Sequence, residues 1–292
     1  MVTLPSLGQA ILSPTVSRAT VECAAEGVEV TADRMVVRVP GDPRRDAPGW
    51  RGLRSLSAET DGMTLRVVVD DLDPYRMPET ANIGGRLGGA EIERWRSTLR
   101  TAWDLLVRHH RTVAQEVSAA ITVLTPLAAP AKGLASSSSR ETFGCVALST
   151  PPDASSLAVT LTHETQHAKL SALLDLVSLT LPDDGSRHYA PWREDPRPVP
   201  GLLQGAYAFL GVAGFWRRQR GLESGEAALR ADVEFFQWRE ASRLVAGTLL
   251  DSGRLTPAGE SFVTGMARRL DDWSREDVPA RARALGRARA DE

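Results

Sequence analysis

At 292 residues, with 42% hydrophobic and 25% charged side chains, the chain has room for one large or two small folded domains and the composition of a soluble globular protein. A net charge of −2 gives no electrostatic case for binding nucleic acid or an anionic membrane. Two cysteines, Cys23 and Cys145, make no disulfide framework, the N-terminus lacks a basic then apolar signal segment, and no run approaches about 18 apolar residues, so a cytoplasmic chain without a membrane span is expected.

The first third reads as strands. Residues 19–24, 28–31 and 35–39 alternate or are β-branched, with short turn signals between them. After a Pro/Gly/Arg loop over 40–52, residues 53–57 and 63–69 form a further pair, turned at Asp61-Gly62. No helix-length crossover separates these strands, so their pairing is expected to be antiparallel. Residues 70–76 close the sheet. The glycine-rich run 82–89 lacks the Lys-Ser/Thr of a phosphate-binding loop. From about Glu91 to about Gln115, Ile92, Trp95, Leu99, Trp103, Leu106 and Val107 share one helical face. Strands follow at 120–125 and 143–148, joined by a small-residue loop with four serines, Ser136 to Ser139, read as a flexible connection or a lid. Beyond a helix starting after Pro151-Pro152-Asp153, residues 181–200 hold five prolines and read as irregular. The rest is helical over 201–220, 226–251 and 257–273, and the arginine-rich tail 275–289 reads as a solvated helix. The fold class is therefore α+β. Residues 1–90 form a β-rich region suited to peptide recognition, and residues 91–292 a mainly helical catalytic region.

The chain has only five histidines, and two of them stand in His163-Glu164-Thr165-Gln166-His167, within an apolar helix-forming stretch. Residues four apart share a helix face, so both imidazoles can grip one divalent ion. A working site needs a third ligand and open positions. Asp175 lies about 12 Å along the same helix, too far to serve. The extended metzincin pattern fails, because Leu170 and Leu173 stand where it wants Gly and His. The next helix offers Gln204 and Tyr207 but no carboxylate before Glu223. His109 and His110 read as solvated residues at a helix C-terminus. That leaves His188, or Asp195 with Glu194 beside it. A two-histidine, one-carboxylate set suits non-haem iron and dioxygen.

Three separated segments resemble one family. They are the motif with Lys169-Leu-x-Ala-Leu-Leu-Asp-Leu176, the stretch Tyr189-Ala-Pro-Trp-Arg-Glu-Asp-Pro-Arg-Pro198, and residues 201–217. They look like the HExxH-motif domain of bacterial peptide-modification systems, found alone or fused to radical-SAM maturases and described as α-ketoglutarate-dependent peptide β-hydroxylases acting on ribosomally made peptides. The similarity is dense over 143–217 and thinner over 71–76. It implies iron(II) on His163, His167 and a third ligand, α-ketoglutarate as co-substrate, and a precursor peptide as partner. The distal carboxylate of the co-substrate asks for a guanidinium. Arg193 and Arg197 lie in the matching stretch, with Arg76 more distant. Trp192, Tyr207, Phe209 and Trp216 are candidates for the wall that shields the site and meets substrate. Glu164 would be the general base in a zinc hydrolase; in an oxygenase it orients a ligand or a bound water. A cytoplasmic zinc peptidase is the alternative reading, and a non-catalytic peptide-binding domain a third.

Overall fold

The computed structural model describes residues 1–73, 75–76, 83–131 and 133–290. Pro74 and Asn82, from two of the loops above, lie outside the described residues. The class is α+β, strand-rich in the N-terminal part and helical in the C-terminal half. The chain forms two compact units, each discontinuous in sequence. The first holds residues 1–104, 121–137 and 144–157, and the second 105–120, 138–143 and 158–292.

In the first unit, β1 (Val2–Leu4), β2 (Gly8–Ala10) and β6 (Trp50–Gly52) form one antiparallel sheet. A second contains β3 (Thr20–Ala24), β4 (Gly27–Ala32) and β5 (Met35–Arg38). Trp50, Ala10, Leu12, Val30, Ala32 and Val37 bury a small common core for this part. The loop expected over 40–52 therefore ends in a strand: Trp50 is drawn inside, and its indole N–H donates to the Pro43 carbonyl at 2.9 Å. The third sheet runs β10-β11-β9-β8-β7, from β7 (Arg54–Thr60), β8 (Met63–Val69), β9 (Val123–Leu127), β10 (Ser136–Ser137) and β11 (Cys145–Ser149). β7 and β8 form the expected hairpin. Asp61 and Gly62 both take positive φ, 47° and 75°, which twists a two-residue turn to match its strands. β1 to β8 pair antiparallel among themselves, whereas β9 pairs parallel with β8 and with β11. Helices α1 (Gly89–His109) and α2 (Arg111–Ala120) supply the crossover that parallel pairing needs. Asp71 fastens the end of β8: its buried carboxylate meets Arg54 and Arg86 and accepts the Leu87 N–H at 3.0 Å.

One helix was expected over 91–115, and the structure breaks it at His110. That histidine is not solvated; it is 6% exposed. The ring is taken up inside the second unit, against Phe215 and Gln219. The remaining helices are α3 (Ala154–Leu174), α4 (Val199–Gln219), α5 (Gly225–Asp251), α6 (Pro257–Ser274) and α7 (Ala280–Ala290). α4 is long and apolar enough to cross a membrane by length and composition, but Leu202, Leu203, Ala206, Phe215 and Trp216 are buried in the unit, as in a core helix. The stretch expected to be irregular over 181–200 holds an antiparallel hairpin, β12 (His188–Ala190) with β13 (Arg193–Arg197).

Candidate metal centre

The motif lies on α3, as its sequence setting predicts. His163 Nε2 and His167 Nε2 converge to 3.1 Å, with ring centroids 4.7 Å apart. Two nitrogens bound to one ion at roughly 2.0–2.1 Å, at angles between about 90° and 110°, would stand roughly 2.9–3.4 Å apart. The pair therefore fits two positions of one coordination sphere. Burial pushes the His163 imidazolium pKa well below the usual histidine value; the Glu164 carboxylate opposes this and His167 adds to it. A neutral ring is the state a metal requires.

Gln204, on α4, faces His167: its Oε1 is 3.0 Å from His167 Nδ1, while its amide nitrogen donates to Ser171 Oγ at 3.5 Å. With that amide orientation, Nδ1 carries the proton and donates, which leaves the Nε2 lone pair of His167 directed at the shared position. Phe209, also on α4, abuts the edge of His163 at 4.9 Å between centroids. It stacks on Trp238 of α5 at 4.2 Å and tilts against Trp192 at 4.8 Å. Trp192 stands at the hairpin turn, where Gly205 makes room for it; a Cβ there would lie 2.6 Å from the indole. So the pair has an amide on one flank and an aromatic wall on the other. Of the four aromatics considered for a shielding wall, Trp192 and Phe209 lie on this side of the pair. Tyr207 turns elsewhere, toward Phe262 and Lys169, and Trp216 packs on Phe215.

Glu164 is 1% exposed, and Ser138 Oγ donates to its Oε2 at 2.6 Å. Ser138 belongs to the serine run read as a loose connection or lid. In fact Ser136 and Ser137 pair with β11, and Ser139 caps the short 3-10 turn Arg140–Thr142. Ser138, between them, is the serine whose hydroxyl reaches the motif.

The third ligand does not assemble as expected. Among the described residues no three His, Cys, Asp or Glu side chains stand close enough together to hold a metal. His188 lies in β12 with its Nε2 3.4 Å from Ser186 Oγ. Asp195 lies in β13, exposed, taking Arg193 at 2.7 Å and Arg197 at 3.4 Å. The hairpin fixes both side chains away from the imidazole pair. It also ties the two arginines proposed for the co-substrate to a carboxylate of their own, leaving that cluster one net positive charge. Arg76, in the first unit, donates to the Gly84 carbonyl at 2.6 Å. Ser138 and Trp238 were not anticipated as neighbours of the site, and Gln204 was considered only as a non-carboxylate on the next helix. Gln204 carried a readable signal, being a polar side chain in the apolar first half of α4.

No protein-family model matches the chain, and no curated protein matches it.

Proposed function

We propose that this chain is a metal-dependent enzyme of peptide modification: a non-haem iron(II) and α-ketoglutarate-dependent hydroxylase acting on a side-chain β-carbon of a ribosomally made peptide. The observation that carries a metal reading is the 3.1 Å convergence of His163 and His167 Nε2. The resemblance of the three segments around it supports iron and a peptide substrate over other metal chemistry. Iron(II), when bound, supplies dioxygen activation at the expense of the co-substrate's keto acid. His163 and His167 would hold it, and two protein nitrogens leave open positions for a chelating co-substrate and oxygen. Gln204 fixes the His167 tautomer. Phe209, Trp192 and Trp238 keep water from the His163 side. Arg193 or Arg197 would bind the distal carboxylate by displacing the Asp195 contact. Glu164, held by Ser138, positions the motif helix and its charge beside His163 rather than serving as a free base. The two cysteines are both unpaired thiols, which suits a reducing cytoplasm.

Anaerobic protein given iron(II) and α-ketoglutarate should develop a weak visible charge-transfer band that His163→Ala and His167→Ala each abolish. Air and a candidate precursor should then yield succinate and a peptide heavier by one oxygen atom. Peptide cleavage by zinc-loaded, oxygen-free protein, lost in Glu164→Gln, would establish the hydrolase instead. Peptide binding unchanged by metal, with neither activity, would leave a binding domain.

A further inference from the structure

A cavity of about 750 Å³ lies within the second unit, bounded by α2, α3, α4 and α6. It reaches the motif helix on the flank turned from Glu164, where Gln166 and Lys169 line it and Gly211 packs against Gln166. Its size falls in the range that accepts several residues of a peptide or a drug-sized molecule. The charge on its walls is lopsided. Lys169 is neutralised by Glu116 at 2.6 Å. Arg111, Arg218 and Arg269 also line it, each from a different helix, and no guanidinium of the three has an ion-pair or hydrogen-bond partner among the described residues. All three are exposed. Between the arginines the surface is apolar, with Leu210, Phe262 and Met266 presented to the cavity.

We propose that this cavity is a docking site for a peptide segment carrying acidic residues on either side of a large apolar side chain. Charge complementarity selects the acidic residues: three uncompensated guanidiniums form a rim suited to carboxylates. An apolar floor inside a polar rim is the anatomy of a peptide or protein anchor site. A compact anion such as phosphate is a poorer match, since it would collect donors at one point and leave the Phe262 and Met266 surface unused. The site does not depend on the metal reading, because no cation of the rim touches His163 or His167.

The test is fluorescence anisotropy with a fluorescein-labelled hexapeptide of sequence DELFED and the full chain. Binding to the wild type should weaken at least about tenfold in the triple variant Arg111→Ala, Arg218→Ala, Arg269→Ala, and on raising salt from about 0.05 M to about 0.5 M. Phe262→Ser should weaken it with the salt dependence retained. Both variants are read only at wild-type circular dichroism and melting temperature. A KKLFKK peptide should not bind. No binding by the wild type, equal affinity for a DEAAED peptide, or unchanged affinity in the triple variant would each overturn the proposal. Displacement by tripolyphosphate together with indifference to Phe262→Ser would assign the rim to phosphate anions instead and also overturn it.

Discussion

His110 makes acid stability of the second unit a quantitative test of the fold. The ring stacks on Phe215 at 4.2 Å and 12° between planes, and its Nε2 is 3.0 Å from Gln219 Oε1. Burial pushes its pKa down from 6.5 to about 4; the Gln219 contact works the other way, and the charges of Arg218 and His109 lower it further. The folded state thus prefers neutral His110, whereas the unfolded chain takes up the proton near 6.5. Stability from this residue is complete above pH 6.5 and is lost as pH falls toward 4. A shift of that size corresponds to about 3 kcal/mol across the window, of which about 2 kcal/mol is gone by pH 5. Urea unfolding of wild-type protein between pH 7.5 and 4.5, followed by circular dichroism, should show this decline. Carboxylates titrate at the lower end of the same window, so the comparison must be internal. The double variant His110→Phe, Gln219→Met keeps the stack and leaves no orphaned amide, and between pH 6.5 and 5 its stability should fall by about 1.5 kcal/mol less than the wild type's. Parallel curves for the two proteins over that range would refute the assignment of a buried, neutral His110.

Other substitutions probe the site and its supports. Phe209→His would place a third imidazole beside His163, where the present ring centroid is 4.9 Å away; cobalt(II) titration should show affinity tighter by at least about tenfold, and equal affinity would mean the α4 position does not face the shared coordination point. Ser138→Ala removes a 2.6 Å donor from a buried carboxylate and should cost about 1–3 kcal/mol in urea unfolding, with an unaltered midpoint counting against that contact. Gly205→Ala would drive a Cβ into the Trp192 indole, lowering stability by about 1–3 kcal/mol and moving one wall of the site; thermal melts read the first effect and cobalt spectra the second. In α6, Gly259→Ala should be severe, since the new Cβ would lie 1.9 Å from the Leu179 carbonyl oxygen, a backbone atom; Gly265→Ala meets nothing within 4 Å and should stabilise by about 0.5–1 kcal/mol, so equal melting temperatures for the pair would contradict the packing.

Local signals were legible where neighbours in sequence set the structure. Asp61-Gly62 specified its own turn, the helix expected from Pro257 begins there as α6, and the HExxH spacing placed two imidazoles on one face. Signals failed where the deciding partner lies far along the chain. His110 looks solvated from its helical position, yet the surface of Phe215 and the amide of Gln219, more than a hundred residues on, pull it inside. The proline-rich run 181–200 reads as irregular because Pro191, Pro196 and Pro198 forbid long ladders, but a hairpin of a few pairs needs few N–H donors and survives them. The serine run reads as flexible by composition. A buried Glu164 asking for a donor gives one of those serines a fixed place.

The same distinction explains why the site is half readable. A motif on a single helix can declare the ligands that helix carries and nothing more. The other contacts of the pair come from α4, through Gln204 and Phe209, and from the aromatics of the hairpin and α5 that meet Phe209. Gln204 already behaves as an outer partner should, setting the tautomer of His167 and being anchored in turn by Ser171. If His163 and His167 hold iron as proposed, then with His188 and Asp195 committed to the hairpin the coordination sphere would be completed by groups that arrive with the reaction, the co-substrate first among them. Metal affinity without α-ketoglutarate should therefore be weak, and it should rise steeply when the co-substrate is added. A site already tight without it would require a third protein ligand and would return the question to the hairpin.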